Sequence, residues 1–231
     1  LRQDSAARMQ IEKKLTEQYG LKDVFVVPAN PNDEDRNDTI AKAAAMYISD
    51  RLTDNSFINL GYGDTLSRVL NNLATMMEQP ISCVSLTGGV NYYLPNTRSN
   101  VFNAKLYLIP APLMVSSKEM VTAMRSESSI KEISRMVMLS SLTVVGIGAM
   151  NDRATVLKSG ILNQNDFLYL KMQGAVGDVL CHFVNKDGEL VHTNVEDRLI
   201  STPLSTLKEL DNVIGVAAGT EKVEAIRATL N

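Results

Sequence analysis

57-FINLGYGDTL-66 is a short apolar run, then Gly61-Tyr62-Gly63, then the polar opening of a helix. A strand that ends in glycines and turns into a helix aims backbone N–H groups and the positive end of the helix dipole at one point. That makes an anion seat. The same grammar recurs at 81-ISCVSLTGGV-90 and again at 212-NVIGVAAGTEK-222. One such turn says little. Three on a chain of 231 residues point to a phosphorylated ligand held among strand ends.

Outward from the first turn the pattern is one of alternation. Helix 65–77 carries Leu66, Val69, Leu70, Leu73, Met76 and Met77 at helical spacing, and strand 81–86 follows it. A strand at 105–112 is cut off by Pro110 and Pro112, which cannot continue a central ladder. A helical stretch over 116–141 is interrupted around 126-SESS-129, and 142-LTVVGIGAM-150 is an apolar strand of the kind buried on both faces. Helical patches flank Gly160 within 154–173. A hairpin is expected over 176–191, turning at Lys186-Asp187-Gly188, with a polar segment to about Leu210. Strand 213–219 and helix 220–231 close the sequence. At the other end, a helix over 4–20 stops at Gly20, a strand covers 23–30, 31–38 is a solvated loop and 39–52 an Ala-rich helix. Residues 90–103 lack periodicity and suit a helix start or a mobile loop. Strands alternating with helices predict an α/β fold with a doubly wound, mostly parallel sheet, whose ligands bind beyond the carboxyl ends of the strands.

Composition narrows the function classes. The net charge of −3, from 23 basic and 26 acidic residues, argues against a large nucleic-acid-binding face. No apolar run approaches the ~20 residues of a membrane span. Two histidines exclude a His-rich metal site, and Cys83 and Cys181, far apart in apolar runs, read as buried free thiols of a reducing cytoplasm. No metal and no cofactor are expected. Leu1 is not an initiator methionine and no signal peptide is legible, so a fragment or processed product is expected.

Each candidate residue has a plain alternative. In 61-GYGDT-65 the glycines let the backbone approach an anion, Thr65 adds a hydroxyl, and Asp64 suits an N-cap or a ligand hydroxyl. A ligand seat and an ordinary strand–helix corner fit that stretch equally. Thr87-Gly88-Gly89 repeats the logic, and alone it is more simply a tight turn. Gly146-Ile147-Gly148 and Pro110-Ala111-Pro112 read first as packing. Asp178 is an acid inside small apolar residues, which is costly unless paired, and suits either ligand hydroxyls or a cap. Lys222 sits on a first helical turn, where the dipole disfavours cations, so an anionic ligand or Asp178 is a natural partner; a surface lysine is the bland alternative. His182 and His192 are expected on the surface or in the core of the hairpin. No Ser-His-Asp or Cys-His arrangement is legible.

Taken in order, GYGDT (61–65), TGG (87–89), IPAP (109–112), VVGIGA (144–149), GAVGD (174–178) and VIGVAAGTEKVEAI (213–226) resemble the effector-binding domain of SorC/DeoR-type sugar-sensing transcriptional regulators. GAVGD followed by a glycine turn and K-x-x-AI is the most specific part. The resemblance implies a fold related to ribose-5-phosphate isomerase, glucosamine-6-phosphate deaminase and CoA transferases. It also implies a phosphorylated sugar, or phosphorylated autoinducer-2, as effector. It assigns the phosphate to Gly61, Gly63, Thr65, Thr87, Gly88 and Gly89, ring packing to Tyr62, and hydroxyl binding to Asp178. Leu180 would line the pocket and Lys222 would reach the ligand from the far side. Asp64, Leu113 and Gly146 complete the expected effector contacts.

The family further implies a cytoplasmic homodimer or homotetramer that contacts DNA through an N-terminal helix-turn-helix domain and touches no membrane. Residues 1–22 are then expected to be the linker helix from that domain, and 23–231 the effector-binding domain without its last strand and helix. Ala218-Gly219-Thr220 stands where the family often has Gly-Gly. The function expected is sensing rather than catalysis. The alternative is a sugar-phosphate isomerase or deaminase on the same fold, with Asp178 or Asp64 as base but no evident acid partner.

Overall fold

Two helices come first, α1 (Arg2–Tyr19) and α2 (Asp33–Ser49), in the computed structural model, which describes residues 2–29, 32–53, 55–89 and 104–231. Strands and helices then alternate as β1 (Phe57–Leu60), α3 (Asp64–Met76), β2 (Ile81–Ser85), β3 (Ala104–Tyr107), α4 (Lys118–Arg125), α5 (Ser128–Leu139) and β4 (Leu142–Gly146). A long excursion carries β5 (Gly148–Ala149), α6 (Thr155–Lys158), α7 (Gln164–Met172), β6 (Gly177–Val179), β7 (His182–Val184), α8 (Asn194–Asp197) and α9 (Leu204–Glu209). Last come β8 (Val213–Val216), a 3-10 turn (Thr220–Lys222) and α10 (Val223–Leu230).

The main sheet is five-stranded in the order β3-β2-β1-β4-β8, every neighbouring pair parallel. Alternation across β1 and β4 decides what each face holds. Ile58, Leu60 and Val144 point into a cluster with Leu66, Val69 and Leu73 of α3 and Ala41, Ala45 and Ile48 of α2. Val145 and Val84 point the other way, towards Ile133 and Val137 of α5 and Ala225 of α10. The sheet is therefore covered on both sides, which is why its strands read as unbroken apolar runs. Asn59 is a polar exception, fully buried, its amide donating to Val137 O at 2.9 Å and to the hydroxyl of buried Thr143 at 3.1 Å. The excursion between β4 and β8 builds a separate three-stranded antiparallel sheet, β5-β6-β7, over a third cluster containing Phe167, Leu170, Phe183 and Leu199.

Several expectations hold. Gly20, at φ +64°, ends α1 in the left-handed conformation that suits a helix C′ position. The expected break falls at 126–127, between α4 and α5, and Ser117 caps α4 by accepting from Met120 N–H at 3.1 Å. Others are corrected. Residues 23–29 form no strand; that segment lies along α1, Val26 N–H donating to Glu12 Oε2 and Arg8 to Val26 O, both at 3.4 Å. The charged run 33–38 is the start of α2 rather than a loop, since acidic residues favour the positive end of a helix. The strand over 142–150 divides at Ile147 between the two sheets. In the hairpin the chain first reverses at Leu180-Cys181, both at positive φ (55° and 66°), and the turn around Lys186–Gly188 is a second reversal that brings Leu190 beside Val184. The polar segment before Leu210 holds α8 and α9. The expectation for 90–103 falls outside the described residues.

Candidate functional site

β1 and β4 are neighbours, but the chain leaves them in opposite directions, β1 through α3 towards β2 and β4 into the second sheet. At such a switch point the connections diverge and leave a crevice beyond the carboxyl ends of the strands. Here the crevice is a cleft of about 320 Å3, within the size range of small-ligand sites. Its walls are the β1–α3 turn, the β4–β5 turn with α6, the β6–β7 turn, the segment after β8, and the first turn of α2.

The β1–α3 turn supplies Tyr62, Gly63, Asp64, Thr65 and Leu66. Gly63, at φ +121° and ψ 170°, precedes the helix in a conformation open to glycine alone, and swings the α3 N-terminus towards the cleft. Asp64 would repel an anion there, but its carboxylate is engaged by Arg68 Nε at 2.9 Å and Asn37 Nδ2 at 3.2 Å. The awkward charge is thus neutralised from the helix side.

Asp178 lies on β6 opposite Gly148 of β5, only 6% exposed. One carboxylate oxygen packs so closely on the Gly148 backbone that any side chain there would collide with it. The other accepts the Tyr62 hydroxyl at 2.8 Å and the Cys181 N–H at 3.2 Å. Burial pushes the Asp178 carboxyl above its ordinary range, opposed by those two hydrogen bonds and by the charges of Lys222 and His182. Burial first, and then the neighbouring carboxylate, hold the Tyr62 phenol well above its usual value, so it stays protonated and donates. Lys222 lies half-buried in the cleft wall with no hydrogen-bond partner among the described residues. Burial lowers its pKa, while Asp178 and Glu221 hold the charge in place. A partly desolvated cation with spare donors, beside a helix N-terminus and a carboxylate that keeps one oxygen clear of hydrogen bonds, can take an anion and a hydroxyl side by side.

Of the residues expected to bind an effector, the cleft gathers Tyr62, Gly63, Asp64, Thr65, Gly146, Asp178, Leu180 and Lys222. Gly61 sits just beneath, its N–H donating to Val144 O at 2.8 Å, and a side chain there would crowd the Leu180 side chain. Thr87, Gly88, Gly89 and Leu113 do not line it. The N–H groups of Gly88 and Gly89 are committed to Ile200 O and Ala111 O, both at 2.8 Å, and the Thr87 hydroxyl to Gly88 O at 3.0 Å. A side chain on Gly88 would run into the Pro112 carbonyl, so close packing accounts for that glycine. Leu113 is core, in the cluster on which Tyr62 packs.

Sequence reasoning missed Arg36, Asn37, Arg153, Lys158 and Glu221, all in the cleft walls. Arg153 and Lys158 closely follow the Gly146-Ile147-Gly148 turn, and charges just past a glycine turn at a strand end were the legible signal. Arg36 and Asn37 come from the run misread as a loop. His182 is a strut behind the hairpin, its ring nitrogens 2.8 Å from Glu196 Oε1 and 2.8 Å from Thr202 O; His192 lies at the surface beside Asp197. Both cysteines are buried and free, burial pushing the Cys83 thiol up to about 12. Among the described residues no His, Cys, Asp and Glu cluster could hold a metal ion, and no helix is long and apolar enough to cross a membrane.

A family model described as "Putative sugar-binding domain" matches residues 4–231. The transcriptional regulator LsrR of Klebsiella pneumoniae subsp. pneumoniae is 33% identical over 224 residues, which are 95% of this chain and 69% of that protein. LsrR of Escherichia coli K12 is 31% identical over 226 residues, 96% of this chain and 71% of its own. Among solved structures, a DeoR family transcriptional regulator from Listeria monocytogenes superposes with a TM-score of 0.85 at 25% identity, covering 97% of this chain and 92% of that one. The full-length sorbitol operon regulator SorC from Klebsiella pneumoniae gives a TM-score of 0.81 at 22% identity, over 97% of this chain and 75% of its own, a likeness of fold alone.

Proposed function

This chain belongs to the family of sugar-binding domains of SorC/DeoR-type transcriptional regulators, and we propose that its cleft senses a phosphorylated sugar and passes the signal to DNA binding. The observation that carries the proposal is the pairing of opposite chemistries in one cleft: the α3 N-terminus with half-buried Lys222 on one hand, and buried Asp178 on the other. The first pair suits a phosphate, which carries about −1.5 to −2 charges at neutral pH. The second suits sugar hydroxyls, with Tyr62 and Leu180 as walls. In this assignment Gly63, Asp64, Thr65, Gly146, Asp178, Leu180 and Lys222 touch or frame the effector.

DNA contact belongs to a helix-turn-helix region N-terminal to α1, which serves as the linker helix, and the regulator works in the cytoplasm as a homodimer or homotetramer. Exposed Met9 and Ile11 on α1, and Leu168, Tyr169 and Met172 on α7, are apolar surface that subunit contacts would cover. An effector with different affinity for two subunit arrangements shifts their populations, and with them the affinity for DNA. The same groups are a binding set rather than a catalytic one. Asp178 is held in place by Tyr62 and the Cys181 N–H.

The test is a thermal-shift series with ribose 5-phosphate, glucose 6-phosphate, sorbitol 6-phosphate and phosphorylated autoinducer-2 against their unphosphorylated parents. An ester present at 100 times its Kd stabilises by about 2.7 kcal/mol, and the parents are expected to give no comparable shift. Equal shifts from the parents would defeat the phosphate assignment, and product formation seen by NMR would defeat the sensing-only reading.

A further inference from the structure

We propose that Glu221 is an internal stand-in for the effector's anion, holding Arg36 until a phosphate takes its place, so that Arg36 becomes a ligand contact and α2 registers occupancy. The inference rests on the phosphate-sensing reading of the cleft and names a residue that reading does not include. Arg36, on the first turns of α2, reaches across to Glu221 with its guanidinium 3.2 Å from Oε1, a partner 185 residues away. Both side chains line the cleft, and Glu221 immediately precedes Lys222.

The Glu221 carboxylate folds back against its own turn. Gly219 sits at φ +125°, and a side chain there would lie 2.5 and 2.6 Å from the two Glu221 oxygens. The third glycine turn therefore already carries an anion, and that anion is the chain's own. A brace that served stability alone would need no such place beside a half-buried lysine without a hydrogen-bond partner. The side chains are 25% and 34% exposed, so the pair is open to exchange. A phosphate offers more charge and more acceptor oxygens to a guanidinium than a carboxylate does. When it takes Arg36, Glu221 is released and the Arg36–Glu221 pair no longer joins α2 to the segment after β8. The Asn37–Asp64 and Arg68–Asp38 bonds still fasten α2 to α3, so the exchange moves α2 relative to one wall of the cleft and not the other.

Isothermal titration of the chain with inorganic phosphate, ribose 5-phosphate and ribose tests this in wild type, Glu221→Gln, Arg36→Gln and the double variant, with ligand-free melting temperatures as the folding control. An exposed ion pair has modest strength, so removing the competitor in Glu221→Gln is expected to tighten phosphate binding about 2–5-fold. Arg36→Gln is expected to weaken it about 10-fold, and in that background Glu221→Gln has no further effect. If wild type binds phosphate and Glu221→Gln leaves the affinity unchanged or lowers it, the stand-in is overturned while the phosphate reading survives. If neither wild type nor Glu221→Gln binds either probe, or ribose binds as well as its phosphate, the phosphate reading falls and the stand-in with it.

Discussion

Asp178 is where burial and charge oppose each other most sharply. Its carboxyl is nearly inaccessible, yet Tyr62, the Cys181 N–H and Lys222 are arranged to favour the ionised form. Burial prevails, so the folded-state pKa lies above the ordinary 3.8. The sign of the consequence follows: protonated Asp178 suits the folded state, and that contribution is full below about 3.8 and lost as pH rises through the raised folded value. Asp178→Asn keeps the shape and removes the titration. Urea midpoints from pH 3 to 7 should therefore move against wild type, relative to Asp178→Asn, as pH rises; a constant difference would mean that Asp178 is not desolvated. Asp178 and Lys222 were legible in the sequence because each is the wrong residue for its place unless something pairs it. Arg36 was not. Nothing local distinguishes an arginine in a charged run from a solvated one, and only the fold brings it to Glu221.

Among elements, glycine turns were the most legible and also the most ambiguous. The turn at Gly61–Gly63 opens the cleft, whereas the turn at Gly88 serves close packing against Pro112. Identical grammar gave different outcomes because the strand after β4 leaves the sheet and the segment after β2 is covered by 199–202 and 109–113. The β6–β7 turn was illegible for the opposite reason. Leu180 and Cys181 take positive φ without glycine, held there by burial and by the Ser201 hydroxyl donating to Leu180 O at 2.7 Å. Such backbone stores about 1–3 kcal/mol. Cys181→Gly exchanges that strain for a lost buried side chain and is expected to change stability by no more than about 1 kcal/mol, while Cys181→Val, β-branched at positive φ, should cost about 2 kcal/mol more than Cys181→Gly. Chemical denaturation of the two variants checks this; equal stabilities would mean the turn relaxes freely. The segment 23–29 and helical 33–38 were misread because what fixes them is α1 and the helix dipole rather than their own periodicity.

At the scale of the molecule, alternating strands and helices were enough to foresee a doubly wound parallel sheet, and with it an open cleft at the carboxyl edge. The strand order was not foreseeable, nor was the second sheet, since both depend on where a long excursion returns. That return matters for function. It brings Asp178 from the small sheet, Lys222 from beyond β8 and the α3 N-terminus together over the β1–β4 boundary, so the cleft exists only when the whole sheet is assembled. We propose that this boundary, and not the turn after β2, holds the phosphate. A crystal structure of the chain with whichever ester stabilises it most decides the matter. The expected result is a phosphate within about 3 Å of the N–H groups of the Gly63–Leu66 turn and of Lys222 Nζ, with the sugar hydroxyls on Asp178. A phosphate seated on Thr87–Gly89, or outside the cleft, would overturn that placement.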